Sequence, residues 1–173
     1  MKTVQSLVVL LFTLVVISCK KDTISHSNDF SNSYLAWKAF KDSSHNSYRY
    51  SVITSSWTGF GSETIITVRN GKVVGRSFVY KKSEHNGTAW VSTVLEEWTE
   101  TEAQLGTHDL MAAPVTLDVI YDKAMNDWLQ KRDKVSIYFE ANNNGMISLC
   151  GYVPDGCQDD CLRGIHIGFI EGI

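Results

Sequence analysis

Three cysteines, Cys150, Cys157 and Cys161, and three aspartates, Asp155, Asp159 and Asp160, fall inside the stretch CGYVPDGCQDDC near the end of the chain. Thiolates and carboxylates at that density can hold a metal, run redox chemistry or close a disulfide. For zinc, the three cysteines with His166 would make a Cys3His set, but C-x6-C-x3-C lacks the C-x2-C knuckle of structural zinc sites. For calcium, the three aspartates supply hard oxygens at a spacing unlike that of an EF-hand loop. A redox centre wants an accessible thiol of low pKa, and neighbouring aspartates raise it. The disulfide is the favoured reading. Residues 153–156, V-P-D-G, suit a β-turn with Pro154 at its second position, and a hairpin continued from that turn sets Cys150 opposite Asp159. Cys157 with Cys161 is then the preferred pair, with Cys150 facing inward as a small apolar group. Cys150 with Cys161 is the rival pairing. No cofactor is favoured, and calcium on Asp155, Asp159 and Asp160 is the alternative.

A second polar cluster joins His108 and Asp109 to Glu96, Glu97, Glu100 and Glu102. A His-carboxylate pair could serve a hydrolase as general acid and base, although sequence neighbours rarely point the same way. No G-x-S-x-G elbow or H-E-x-x-H pair accompanies it, and the glycine-rich residues 59–64 precede a strand instead of joining a strand to a helix. No residue is therefore assigned as catalytic. Trp57, Trp90 and Trp98 could line a sugar or peptide surface, or fill the core.

The first residues address location. Lys2 precedes an apolar run over residues 7–17 that is too short to span a bilayer and stops at a cysteine, the pattern of a secretory signal. Val16, Ile17 and Ser18 before Cys19 resemble a bacterial lipobox, so residues 1–18 read as a lipoprotein signal peptide and Cys19 as the acylated anchor, the alternative being an ordinary signal peptide that leaves Cys19 a plain thiol. Residues 19–32, polar and rich in Ser and Asn, read as a flexible tether in which His26 is a solvated side chain. Residues 33–173 read as one domain, long enough to bury a core. Cleavage removes Lys2 from 16 basic residues and none of the 19 acidic ones, taking the net charge from −3 to −4. That balance offers nothing to nucleic acid.

The elements that must position these groups follow from periodicity. Ser31 to Ser33 offer N-caps for a short helix carrying Tyr34, Leu35, Trp37 and Phe40. Tyr48, Tyr50 and Val52 alternate with polar residues as a strand. Asn70-Gly71, Asn86-Gly87 and Asn144-Gly145 mark three hairpins, the first two as type I′ turns. Thr116 caps a helix with Leu117, Ile120, Tyr121, Ala124, Trp128 and Leu129 on one stripe, closed by Lys131 and Arg132. Ile165, Ile167 and Phe169 alternate in a last strand. The order is helix, about four strands, helix, about three strands. Tight turns join them, so the fold class is α+β, a mainly antiparallel sheet of six to seven strands with two helices on one face.

Trp37 in the first helix, Tyr48-x-Tyr50, Val68-x-Asn70-Gly71-x-Val73, Thr116-Leu117-Asp118, Asn144-Gly145-x-Ile147 and the Asp159-Asp160 pair before the last strand resemble a domain-of-unknown-function family of small bacterial lipoproteins. The resemblance covers most of the chain after Cys19. It departs in residues 81–113 and in the cysteines around Asp159 and Asp160. It implies an α+β lipoprotein and no particular activity. The expectation is a lipid-anchored protein of the bacterial envelope, placed at the outer membrane and attached through Cys19. Its role is a non-enzymatic binding or accessory module for an envelope protein or glycan. The alternatives are a divalent-metal module and an envelope hydrolase using His108 and Asp109.

Overall fold

A computed structural model describes residues 24–109 and 111–173. The signal peptide, Cys19 and the first part of the tether lie outside the described residues. The elements are α1 (Ser27–Ser43), β1 (Tyr48–Ser55), β2 (Phe60–Arg69), β3 (Lys72–His85), β4 (Trp90–Thr101), α2 (Leu117–Lys123), β5 (Val135–Glu140), β6 (Leu149–Pro154) and β7 (Arg163–Gly172). They build one α+β fold. Seven strands form a single antiparallel sheet in the order β4-β3-β2-β1-β7-β6-β5. Among the described residues no helix is long and apolar enough to cross a membrane.

Both helices lie on the face that carries Tyr48, Tyr50, Ile66 and Val68. Strand parity puts these four on one side, because Tyr48 pairs with Val68 and Tyr50 with Ile66. Trp37 of α1 packs edge-on to Tyr48 at 5.1 Å and parallel to Tyr121 of α2 at 6.0 Å, measured between ring centroids. Trp37, Tyr48, Tyr50, Ile66, Val68, Leu117 and Leu129 are fully buried. This interlocked aromatic layer seats α2 over the middle of the sheet.

Three expectations change in the structure. The first concerns the tether, because α1 starts at Ser27, capped by His26 in the left-handed region at φ 55°. Phe30 shares the buried stripe of Ser33 and Trp37, and Ser25 N donates to Leu129 O at 2.8 Å. Two apolar residues, Ile24 and Phe30, thus fix a segment whose composition is otherwise that of a linker. His26 is exposed, as expected of a solvated side chain, but it also lies against Phe139 and 3.2 Å from Ile137 O. The second concerns α2. Its stripe is buried as expected, but after Lys123 the backbone widens into a π turn over Ala124–Trp128, with Leu129 N donating to Ala124 O at 3.0 Å. Arg132 folds back onto the Asp127 carbonyl and carboxylate from outside the helix.

The third concerns turns and phase. Asn70 and Gly71 take φ of 48° and 77°, the pair of positive values a type I′ hairpin requires. In the second hairpin only Gly87 is left-handed. There Asn86 Oδ1 accepts from the amides of Thr88 and Ala89 at 3.0 Å, making a longer Asx-type loop. Asn144-Gly145 turns the chain inside a loop that returns it to β6 only at Leu149. In β7 the alternation breaks: Tyr50 faces Ile170 and Val52 faces Ile167, so a bulge lets Ile170 point inward in place of Phe169. Gly168 sits in that bulge, where an added Cβ would stand 2.7 Å from Ser51 Oγ.

Candidate binding cleft

The bulge has a structural consequence one residue on. The β1–β7 ladder ends at Val52 opposite Ile167. Beyond it, Ile53, Thr54 and Ser55 remain paired with β2, while Arg163, Gly164, Ile165 and His166 remain paired with β6. The two strands part, and a cavity of about 470 Å³ opens between them. Val52, Thr54, Phe60 and Tyr80 line one side, with Phe60 and Tyr80 stacked 5.8 Å apart, and Leu162, Gly164, Ile165 and His166 line the other. A second cavity of about 390 Å³ adjoins it and shares Val52, Gly164 and Ile165. Its walls are Tyr50, Val115, Val119, Ile120 and Trp128, and Lys123 is its cation. Outer and inner chambers adjoin as one cleft, the inner on the helix-bearing face and the outer between the parted strands, flanked by strand edges whose N–H and C=O groups are free of each other.

The inner chamber is roofed by the strand-to-helix connection through Ala112, Ala113 and Val115. That strap is anchored at several points. Arg76 donates to His108 O at 2.6 Å and to Ala112 O at 3.0 Å. The Tyr50 hydroxyl donates to Val115 O at 2.7 Å, and the Tyr48 hydroxyl accepts from Leu117 N at 3.0 Å. Burial pushes the Tyr48 phenol up to about 12 and that of Tyr50 higher still, so both stay protonated and hold their bonds.

Arg76 is held in turn by Glu100, opposite it on β4. The guanidinium donates twice to the carboxylate, at 2.9 and 2.8 Å, and both side chains are buried. The remaining lone pairs of Glu100 accept from Gly106 N, Thr107 Oγ1 and His108 N at 2.8–3.1 Å. The Arg76 guanidinium, then the His108 and Gly106 amides and the His108 ring, hold this carboxyl far below its usual range against the opposing effect of burial. A buried carboxylate so satisfied is a staple, and it closes the 106–108 turn against the sheet.

The side chains singled out from the sequence fall around this frame in different ways. His108 stacks flat on Trp98 at 4.2 Å and 5°, with Nδ1 3.0 Å from Glu100. Asp109 is exposed and not its partner, so the two sequence neighbours form no dyad. Glu96 and Glu97 are exposed on β4, and Glu102 pairs with Lys72. Trp98 is half-buried between Phe78 and His108, whereas Trp57 and Trp90 are 85% and 73% exposed at the hairpin tips.

In the cysteine segment, Cys157 and Cys161 stand at disulfide distance with Cα atoms 6.1 Å apart, and Cys150 is a buried free thiol. Cys150 lies opposite Ile165, not Asp159, because the V-P-D-G turn does not continue as a tight hairpin: β6 ends at Pro154, β7 begins at Arg163, and residues 155–162 form a loop in which Cys157 N donates to Pro154 O. Burial pushes the Cys150 thiol up to about 12. Among the described residues no three His, Cys, Asp or Glu side chains converge as a metal site, so neither Asp155, Asp159 and Asp160 nor the Cys3His set comes together. Asp160 instead rims the outer chamber with Leu162.

Arg76, which frames the candidate site, is the residue that sequence reasoning missed. A lone arginine in a strand, opposite a glutamate separated from it by a hairpin, becomes visible only once the β3–β4 register is known. No known family, curated protein or solved structure matches this chain.

Proposed function

We propose that this is a lipid-anchored binding module of the bacterial envelope, held to the membrane by acylated Cys19, that takes an extended peptide segment of another envelope protein in the β1–β7 cleft. The observation that carries the reading is the parting of β1 and β7 after Val52 and Ile167, which leaves two strand edges facing a cavity with an apolar floor. Exposed ladder groups bind an extended backbone, and a neighbouring apolar chamber gives the side-chain preference. Such groups bind without reacting, and the proposed role is that of a non-enzymatic module. The lipobox-like residues before Cys19 supply the location.

The test is titration of the full chain in detergent with extended peptides of alternating apolar and polar residues, read by backbone amide shifts. Shifts centred on Thr54, Ser55, Gly164 and Ile165 support the reading. Shifts only at the Trp57 and Trp90 tips, produced by soluble glycan fragments and not by peptides, would replace it with a sugar-binding one.

A further inference from the structure

The two edges of the sheet are finished differently. β5 is short, and the residue before α1 meets it: the carbonyl of Ile137 can only accept, so His26 Nε2 donates to it at 3.2 Å. β4 is the opposite edge and runs for 12 residues. Its C-terminal half carries Glu96, Glu97 and Glu100 beyond a bulge at Leu95, devices that keep an edge from pairing. Its N-terminal half, W-V-S-T-V from Trp90 to Val94, has no charge, proline or glycine. Trp90 is 73% and Val94 53% exposed there.

We infer that this bare half-edge pairs antiparallel with the same segment of a second copy of the chain, about a twofold axis through Ser92. Parity and charge together set the register. A twofold axis normal to a continued sheet brings together residues of equal parity, so facing side chains share a face. Centred on Ser92, the pairing puts Trp90 opposite Val94 of the second copy and Val91 opposite its Thr93, each twice. These are aromatic and β-branched pairs of the favourable kind. Glu96 and Glu97 fall outside the paired stretch. Centred on Thr93, the same pairing would press Trp90 onto Glu96, and centred on Glu96 it would oppose two carboxylates. So short a stretch buries less than the ~800 Å² per partner of a stable interface. The dimer is therefore weak in dilute solution and grows with concentration.

The test uses the full chain in mild detergent with Ser92→Cys, oxidised and run on a non-reducing gel beside the wild-type chain. A residue on the axis faces itself, so Ser92→Cys gives a cross-linked dimer that rises with protein concentration. Adding Val94→Lys at this exposed position lowers the yield more than tenfold while leaving the thermal midpoint and the peptide titration of the cleft unchanged. No dimer above wild type, or an equal yield with Val94→Lys or with Asn32→Cys on α1 in place of Ser92→Cys, would overturn the inference.

Discussion

Arg76 and Glu100 stand opposite each other on β3 and β4, and their two-point ion pair holds the 106–108 turn and Ala112, the latter part of the roof of the inner chamber of the cleft. Charge is buried here to fix a shape. Arg76 reaches the strap at two carbonyls and Glu100 reaches it at the amides of the 106–108 turn. Removing either partner therefore strands a buried charge and also frees the roof.

Arg76→Met is expected to destabilise the chain by about 3–5 kcal/mol, the cost of leaving one buried partner uncompensated. The double variant Arg76→Met/Glu100→Leu should recover much of that loss, because it removes both charges. Urea unfolding gives the stabilities. Hydrogen exchange should show faster exchange at the Gly106 and His108 amides in both variants, since each loses an anchor of the strap.

The same carboxylate predicts the acid limb of stability. The folded state lowers the Glu100 pKa from its ordinary 4.5, chiefly through Arg76. A depressed folded pKa contributes stability that is present above that ordinary value and is lost as pH falls below it toward the folded value. Thermal midpoints should fall between about pH 4 and pH 2 more steeply in the wild type than in Arg76→Met/Glu100→Leu. Parallel curves would show that Glu100 carries no such linkage.

Cys150 should resist iodoacetamide at pH 8 in the folded chain and react in denaturant, since burial pushes its pKa to about 12. Cys157 and Cys161 should become alkylated only after reduction. Opening that small loop should cost at most about 2 kcal/mol by chain entropy. Mass spectrometry of the alkylated chain, with and without reductant, reads both.

Cys19→Ser should move the protein from the membrane fraction to the soluble one and abolish incorporation of labelled fatty acid. Fractionation of cells expressing the full chain measures both. A Cys19→Ser chain still found at the membrane would end the lipid-anchor proposal.

How much of this was legible in the sequence depended on range. Strands flagged by Asn-Gly turns and the α2 stripe are local signals, and Leu117, Ile120, Tyr121, Ala124, Trp128 and Leu129 are buried as their spacing indicates. The preferred Cys157 and Cys161 contact was also local. The cleft was not, because it arises where a bulge opposite Ser51 shifts β7 against β1, and residues more than a hundred positions apart decide that. Phe169 shows the cost of reading period alone: the alternation runs through Ile165 and Ile167 and then changes phase. Glu100 was visible as one of several acids near His108, but its true partner, Arg76, sits across a hairpin.

The central claim is that the parted β1 and β7 edges are the ligand site. Peptides selected from a random displayed library against the full chain should be titrated calorimetrically against wild type, Thr54→Trp and Trp57→Ala. Thr54 is exposed and lines the outer chamber, so the tryptophan fills the cleft without entering the core. Thr54→Trp should weaken binding at least tenfold, about 1.4 kcal/mol, with Trp57→Ala unchanged. Equal affinity for wild type and Thr54→Trp, or a loss confined to Trp57→Ala, would contradict it.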